Sequence, residues 1–325
     1  MLALFNDLGV PGAGPARVVR VERSHCVVAC PDGAQRLATA AVLPAVGDWV
    51  AVRDDVVIAV LPRWSELARR DPDGASVQVL AANIDLVLIT APGERLSPAR
   101  VERELAVAWE SGAQPVVVMT KADLAGVAVP DELSDRLVGV DVVATSATTG
   151  AGVETIRAML QPCRSAVLLG PSGAGKSTLA NLLVGGDALA LADFRADRRG
   201  RHTTTSRQLV CVPSGGVLID TPGLRSLSLV GDGDGIAGVF PDIDALAARC
   251  RFRDCRHDTE PRCAVLAATQ SGTLVPARLE SYRKLERELA AEARRRDPLV
   301  RKAELSVWKA RTKTVRAASK RKPRD

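Results

Sequence analysis

The chain lacks any apolar run of about eighteen residues, the least that a membrane-spanning helix requires. Its N-terminus also lacks a basic region followed by a continuous apolar stretch, so we expect no secretory signal. Seven cysteines without an export signal are typical of a protein kept in a reducing compartment. These absences argue against a membrane or secreted protein and predict a cytoplasmic one.

Aromatic residues are scarce, at 3% of the chain, and Trp49 and Trp64 are the only rings near a series of short β-like segments. The segments are Ala16 to Val21, Cys26 to Ala29, Asp48 to Val52 and Val56 to Val60. Short strands at this spacing predict a small barrel, and an oligonucleotide-binding (OB) fold fits the size. With so few rings, we expect such a barrel to contact RNA through backbone or shape rather than base stacking.

Acidic residues are nearly absent from the C-terminal end. Residues 301–325 hold ten Lys and Arg but only two Asp and Glu, a charge of +8, whereas the whole chain carries +6 and the remainder therefore −2. A basic, disordered arm of this kind favours contact with nucleic acid. The alternative is a solvated end that only aids solubility.

The most specific motif is Gly170-Pro-Ser-Gly-Ala-Gly-Lys-Ser177, which fits the phosphate-loop pattern G-x-x-x-x-G-K-[ST]. A predicted strand at 166–169 precedes it and a predicted helix at 178–183 follows it. The glycines let backbone N–H groups turn toward a β-phosphate, and the helix N-terminus favours the anion. Lys176 is expected to bridge the β- and γ-phosphates in catalysis, and Ser177 to bind Mg²⁺. A glycine-rich turn that matches by chance is the alternative.

A second motif, Thr120-Lys-Ala-Asp123, indicates guanine rather than adenine. The carboxylate of Asp123 accepts from the guanine N1–H and exocyclic amine together, a pair of donors that adenine lacks. Lys121 is expected to lie along the base. The usual first residue is asparagine, and Thr120 lacks its amide donor, so we expect a weaker contact there. Asp123 as a helix cap is the alternative.

Ser146-Ala147 follows another apolar run and is expected to offer a backbone N–H to the guanine carbonyl. The residues predicted to bind GTP are Thr120, Lys121, Ala122, Asp123, Ser146, Ala147, Gly170, Pro171, Ser172, Gly173, Ala174, Gly175, Lys176, Ser177, Thr178 and Gly223.

The motif Asp220-Thr-Pro-Gly223 ends a predicted strand. Asp220 is placed to hold Mg²⁺ through water, and the Gly223 N–H to meet the γ-phosphate. Upstream of it, Thr204 or Thr205 would complete the metal shell and sense the γ-phosphate, and spacing does not choose between them. Without its neighbours, this threonine segment is equally a basic polar loop.

These motifs stand in an unusual order, since the base-reading ones precede the phosphate loop. Chain termini often lie close together, so a rotated order can keep the same site. From about residue 76 to 230, predicted strands alternate with helices, which indicates a mainly parallel α/β sheet. All four motifs fall at predicted strand ends, where ligands bind such sheets.

Three of the seven cysteines and one of the three histidines occur close together as Cys250-x4-Cys255-x-His257-x5-Cys263. Three thiolates and an imidazole suit one closed, tetrahedral, structural Zn²⁺. The surrounding segment has little apolar surface, so we expect the metal to contribute folding energy. Unpaired thiols with a surface histidine are the alternative. Arginines interleaved with these ligands indicate a basic RNA contact.

The motif order, the segment Gly200-Arg-His-Thr-Thr-Thr205 and the zinc pattern resemble the circularly permuted RsgA (YjeQ) family of ribosome-assembly GTPases, over nearly the whole chain. The resemblance implies GTP hydrolysis that is stimulated by the small ribosomal subunit and its rRNA, during late maturation of that subunit.

 The protein itself is expected to be a monomer.

The same resemblance implies a circularly permuted P-loop GTPase domain between an N-terminal OB-like β-barrel and a C-terminal zinc-binding helical domain. We therefore expect an OB-like RNA-binding domain at 1–65, the GTPase at 66–230, the zinc domain at 231–300 and a basic tail at 301–325.

Leu224 stands where many GTPases carry the glutamine that orients water, and leucine cannot orient water. We therefore expect slow hydrolysis by the free protein, with the missing group supplied from elsewhere. His202 is the internal candidate for catalysis, although an RNA or backbone contact explains it equally well. The rival function is a zinc-stabilised RNA-binding protein that uses GTP only as a conformational switch, without significant turnover. A kinase or ATPase is a further alternative, against which Asp123 argues.

Overall fold

The structure is a computed structural model. It describes residue 5 and residues 10–39, 42–70, 76–93, 96–124, 137, 139–185, 207–220, 227, 229 and 231–296. The tail at 301–325 lies outside the described residues.

The N-terminal strands form a five-stranded barrel, which confirms the prediction from the sequence. They are β1 (Gly14–Val21), β2 (His25–Cys30), β3 (Gly33–Ala38), β4 (Trp49–Arg53) and β5 (Val56–Val60). They pair in the order β1-β2-β3-β5-β4, and β4 pairs back onto β1, so the sheet closes on itself. The buried side chains inside it are Ala16, Val18, Cys26, Val28, Leu37, Val50 and Val57.

The third barrel strand was absent from the sequence prediction. Of its six residues, only Leu37 is a buried apolar side chain, so the alternation that identifies a strand is too weak to see. The strand forms because it pairs antiparallel with β2 along its whole length, from Gly33 opposite Cys30 to Ala38 opposite His25. Tertiary pairing therefore decides this element.

The middle of the chain is an α/β unit. Its strands are β6 (Glu66–Arg70), β7 (Val77–Ala82), β8 (Leu86–Pro92), β9 (Gln114–Thr120), β10 (Asp141–Ala144), β11 (Ser165–Leu169), β12 (Gln208–Cys211) and β13 (Val217–Asp220). Its helices are α1 (Pro98–Glu110), α2 (Val153–Met159) and α3 (Lys176–Val184). β6 and β7 form a separate antiparallel pair, which the sequence analysis did not predict.

The central strands run in the order β10-β9-β8-β11-β13-β12. The first five are parallel, and β12 alone pairs antiparallel, with β13. Strands β8 and β9 are buried along nearly their whole length, which explains their continuous apolar runs. Because the strands are parallel, their carboxyl ends meet at one edge of the sheet, where the motifs lie.

The barrel and this sheet are continuous, because β1 pairs antiparallel with β12. Arg17 of β1 reaches across the junction and donates to the Ser165 hydroxyl at 2.8 Å and to the Asn83 carbonyl at 3.4 Å. Burial lowers the pKa of Arg17, against the opposing effect of Asp85. Gly47 also lies at this junction, with φ +92°, and a Cβ there would lie 2.2 Å from the Ala82 carbonyl oxygen.

The C-terminal region is helical, as predicted, with α4 (Asp234–Val239), α5 (Pro241–Ala247), α6 (Ala264–Gln270) and α7 (Pro276–Arg296). Helix α1 of the α/β unit packs against this region. The buried Arg278 of α7 contacts Asp242 at 2.7 Å and Glu102 of α1 at 3.1 Å. Arg103 of α1 in turn contacts Glu288 of α7 at 2.6 Å. Of the helices described, none combines the length and the apolar character needed to cross a bilayer.

Candidate nucleotide site and metal centre

The phosphate-loop motif connects β11 to α3, which is the local structure that the motif requires. Gly170 has φ +135°, and a Cβ at this position would lie 2.3 Å from the Thr90 hydroxyl oxygen. Only glycine fits there, so the first fixed position of the pattern has a steric cause in this chain. Gly175, at φ +85°, ends the loop directly before the first turn of α3. The loop therefore presents the start of a nine-residue helix to a ligand.

Lys176 lies inside this loop. Its ammonium group donates to the carbonyl oxygens of Gly170 at 2.7 Å and Pro171 at 2.6 Å. Ser177 and Thr178 follow it in the first turn of α3. The side chains expected to meet phosphate and Mg²⁺ thus share one end of one helix.

Thr120 joins the base-reading motif to the phosphate loop. It is buried at the end of β9, and its hydroxyl donates to the Ala174 carbonyl at 2.8 Å. The sequence analysis expected this threonine to weaken a contact because it lacks an amide. In the structure, Thr120 provides a buried hydroxyl donor that joins the two motifs.

The remaining base-reading residues follow Thr120 closely. Lys121 has φ +58°, and the Ala122 N–H donates to the Thr145 carbonyl at 3.0 Å. The Asp123 carboxylate is exposed, and its pKa is lowered, chiefly by a hydrogen bond from the Ser146 hydroxyl. The chain therefore brings together two base-reading motifs that are separated by more than twenty residues.

The second of these motifs is itself held by a turn. The Ser146 N–H donates to the Ala151 carbonyl at 3.0 Å, and the Gly150 N–H donates to the Ser146 carbonyl at 2.9 Å. The Ser146 amide is therefore engaged within this turn.

Asp220 is the last residue of β13, and this strand runs parallel to β11 with Ile219 opposite Val167. Its backbone therefore ends at the same sheet edge as the phosphate loop. For Asp220 the structure describes only the backbone. Gly223, His202, Thr204 and Thr205 lie outside the described residues.

The four predicted zinc ligands converge, with their ligand atoms all within 4.8 Å of one another. The Sγ atoms of Cys250 and Cys263 are 3.8 Å apart, and the His257 Nδ1 lies 3.6 Å from the first and 3.4 Å from the second. A tetrahedron with metal bonds of about 2.0–2.3 Å separates its ligands by roughly 3.5–3.8 Å, so these residues fit a zinc ion. Cys255 completes the group.

The surroundings of the cluster favour its metal-binding form. Burial lowers the pKa of His257, and the neutral imidazole is the form that binds a metal. The Cys263 sulfur accepts from the Leu266 N–H at 3.4 Å, at the start of α6. Helix α7 covers the other side, where the Tyr282 ring lies 6.2 Å from the His257 ring and Arg283 donates to the His257 carbonyl.

A cavity of about 520 Å³ lies beside the start of the phosphate loop, and the sequence analysis did not identify it. Its walls are the loop residues 170–172, the N-terminal half of α1, Leu227 and Lys284. The sequence does hold one clue to this cavity. Arg100 and Glu104 lie one helical turn apart, in a helix that follows a strand next to the strands that carry the motifs.

The model of the RsgA GTPase family matches residues 60–230. The small ribosomal subunit biogenesis GTPase RsgA of Streptomyces coelicolor is 47% identical over 307 residues, which cover 87% of this chain and 82% of that protein. The protein of the same name from Opitutus terrae is 44% identical over 325 residues, covering 91% and 89% of the two chains.

Two solved structures are similar in fold. The crystal structure of YjeQ from Thermotoga maritima has a TM-score of 0.62 at 25% identity and covers 86% of this chain and 99% of its own. YloQ, described as a circularly permuted GTPase, has a TM-score of 0.59 at 23% identity and covers 86% and 96%. These likenesses confirm the permuted order of the motifs. By family model, by relatives and by fold, the chain belongs to the RsgA GTPase family.

Proposed function

We propose that this protein hydrolyses GTP to GDP and phosphate and that it couples hydrolysis to late maturation of the small ribosomal subunit. The observation that carries the proposal is the 2.8 Å hydrogen bond between Thr120 and Ala174, which joins the base-reading motif to the phosphate loop. The proposal of the small ribosomal subunit as the partner is based on the names of the relatives.

Each site residue has a proposed role. Asp123 accepts from the two guanine donors, Lys121 lies along the base, and the Ala147 N–H meets the guanine carbonyl. Lys176 neutralises charge on the β- and γ-phosphates. The residues that would hold Mg²⁺ are Ser177, Asp220 and either Thr204 or Thr205. When bound, Mg²⁺ supplies further neutralisation of the phosphates. The remaining phosphate contacts are assigned to residues 170–178 and to the Gly223 N–H.

The cluster Cys250, Cys255, His257 and Cys263 is proposed to hold one structural Zn²⁺. The arginines around it are all exposed, namely Arg249, Arg251, Arg253, Arg256 and Arg262. Exposed cations on a metal-stiffened segment suit phosphate contacts, so we assign rRNA binding to this surface. The proposed units are the RNA-binding barrel at 1–65, the GTPase at 66–230, the zinc domain at 231–300 and the tail at 301–325. We place the protein in the cytoplasm as a monomer.

The test is GTP turnover measured alone and with purified small subunits, large subunits or naked rRNA. Small subunits should stimulate turnover by ~10³–10⁵-fold, the range seen when a GTPase gains a missing group from a partner. A fast free protein that ignores ribosomes would overturn the proposal, as would GTP binding without turnover under every condition. The second result would favour an RNA-binding protein that uses GTP only as a switch.

His202→Ala tests the internal catalytic group in the same assay. The stimulated rate should fall far more than GTP affinity, because a contact made only in the transition state leaves ground-state binding unchanged. If this variant keeps the full stimulated turnover, the catalytic group belongs to another residue or to the partner.

A further inference from the structure

The segment that carries the metal ligands exposes an aromatic ring to which no role has been assigned. Phe252 lies between Cys250 and Cys255, and its exposed fraction is 40%. The rings of Phe240 and Tyr282, in the same C-terminal region, pack edge to face with their centroids 5.5 Å apart. Among the described residues after 230, Phe252 is therefore the ring that is available to a partner.

Arginines border this ring along the chain. The guanidinium carbon of Arg251 lies 5.4 Å from the centroid of the Phe252 ring, and Arg253 follows the ring directly. Arg103 and Arg278, on the neighbouring helices, each contact a carboxylate at 2.6 or 2.7 Å. Among the described residues, no acidic side chain pairs in this way with the arginines of the metal segment, namely Arg249, Arg251, Arg253, Arg256 and Arg262. Their charge favours an anionic partner.

Two of the three acidic residues in this segment have structural contacts of their own. Glu260 accepts hydrogen bonds at 2.8–3.1 Å from three backbone N–H groups, those of Arg256, Asp258 and Thr259. These hydrogen bonds, chiefly the one from Arg256, lower the pKa of Glu260 to about 2. The Asp258 carboxylate lies 3.9 Å from Arg283 of α7. These contacts hold the turn in place, so a partner meets a ring whose position is already set.

A second exposed ring, that of Trp64, stands in a different electrostatic setting. Arg63 beside it contacts the carboxylates of Asp48 at 2.7 Å and Glu66 at 2.9 Å, so its charge is balanced within the protein. The arginines beside Phe252 have no such partner in the part of the chain that the structure describes. The charge around the two rings, and not their exposure, therefore distinguishes them.

An unpaired RNA base matches both properties of this surface. The face of the base stacks on an aromatic ring, and the phosphates beside it pair with arginines. A paired base inside an RNA helix does not present its face to a side chain. A pocket on a protein fits less well, because charged residues are depleted at the centre of protein interfaces, whereas Arg251, Arg253 and Asp254 surround Phe252 in the sequence.

We propose that Phe252 stacks on an unpaired rRNA base while Arg251 and Arg253 contact the phosphates next to it. The inference rests on the proposed function and deepens it, because it names the kind of contact and the kind of RNA element. That element is a loop, a bulge or a strand end, where bases are free to stack.

The experiment compares the full-length wild type with Phe252→Leu and Phe252→Trp. Binding is measured to small subunits, to a short RNA strand without self-complementarity, and to the same strand paired with its complement. Leucine keeps an apolar side chain but removes the ring, so affinity for small subunits and for the single strand should fall about tenfold, as for loss of one stacked base. Tryptophan should retain it, and affinity for the duplex should be the same in all three proteins. Val275→Ala, at another exposed apolar residue, is the matched control and should bind like the wild type.

The dependence of binding on salt separates stacking from charge. Phe252→Leu should keep the wild-type slope of log affinity against log salt concentration, because the ring displaces no counterion. Arg253→Ala should reduce that slope by about one. Zinc content should be the same in every variant.

Equal affinity of Phe252→Leu and the wild type for small subunits overturns the inference and leaves the proposed function intact. Equal losses in the leucine and tryptophan variants do the same, as does loss of zinc from the leucine variant, which would make the ring a structural one. Weaker binding to small subunits without any change on RNA assigns the ring to a ribosomal protein instead. A wild type that binds neither small subunits nor RNA overturns the proposed function as well.

Discussion

The strands beneath the phosphate loop bury nearly every side chain, whereas the segment that carries the metal ligands buries almost none. Strands β8 and β11 have one half-exposed residue each, and β9 exposes only its first residue. Between Cys250 and Cys263, only His257 and Cys263 are buried. We therefore expect the nucleotide site to form with the hydrophobic core and the metal site to need a bound metal ion for a fixed shape.

Loss of a metal ligand should show this difference most strongly. Cys255→Ser should abolish zinc binding, because a closed site needs all four ligands, and it should loosen the segment around the cluster. Structural zinc contributes as much as ~10 kcal/mol in small zinc domains. Elemental analysis and hydrogen exchange provide the measurements, and GTP affinity should change little.

Cys163→Ser is the matched control, since Cys163 is an exposed thiol outside the cluster. It should keep both the zinc and the exchange pattern. Protein that contains no zinc when carefully purified, or a Cys255→Ser variant with normal exchange, would contradict the assignment.

Asp123→Asn tests the nucleotide site, where the fold should survive the substitution and only the recognition of guanine should change. Loss of the charged partner of two guanine donors should weaken GTP binding by ~2–5 kcal/mol. Xanthosine triphosphate should gain affinity, because its additional carbonyl accepts from an amide. Nucleotide titration measures both effects, and Leu124→Ala, an exposed neighbour, is the control. Unchanged GTP affinity without any gain for the xanthine nucleotide would remove Asp123 from the site.

A smaller effect is expected at the joint between the motifs. Thr120→Val removes the hydroxyl donor and leaves the Ala174 carbonyl without its partner, which should cost about 1–3 kcal/mol of folding free energy. GDP affinity should fall as well, because the loop loses its support. Thr120→Ser keeps the donor and should retain most of both quantities, as denaturant unfolding and GDP titration would show. Equal losses in the two variants would mean that packing, and not the hydrogen bond, matters here.

The smallest effect concerns the basic tail. Removal of 301–325 should weaken binding to the small subunit by about tenfold and flatten its dependence on salt, since up to ten cations no longer displace counterions. GTP affinity should not change. A truncated protein with the same affinity and the same salt slope would show that the tail takes no part in binding.

Predictions from the sequence worked best where a short, local pattern of residues serves one physical purpose. The phosphate loop, the cluster of metal-ligand residues and the strand at 166–169 were all predicted, because their patterns are local. It failed where contacts between distant segments decide the outcome. Strand β3 needed β2, the β6–β7 pair was hidden by the charged residues of β6, and the cavity beside the phosphate loop joins α1 to a loop that is distant in the chain.

The pairing of β1 with β12 bears on how this protein can be dissected. Strand β1 pairs with β12 at Arg20 opposite Gln208, and Arg17 of β1 donates to the Ser165 hydroxyl beside this junction. A shortened chain that begins after the barrel would therefore make β12 the edge strand of the sheet, open to pairing with a second molecule. Such a fragment should aggregate even though it retains every nucleotide motif, so the smallest soluble GTPase obtainable from this chain includes its barrel.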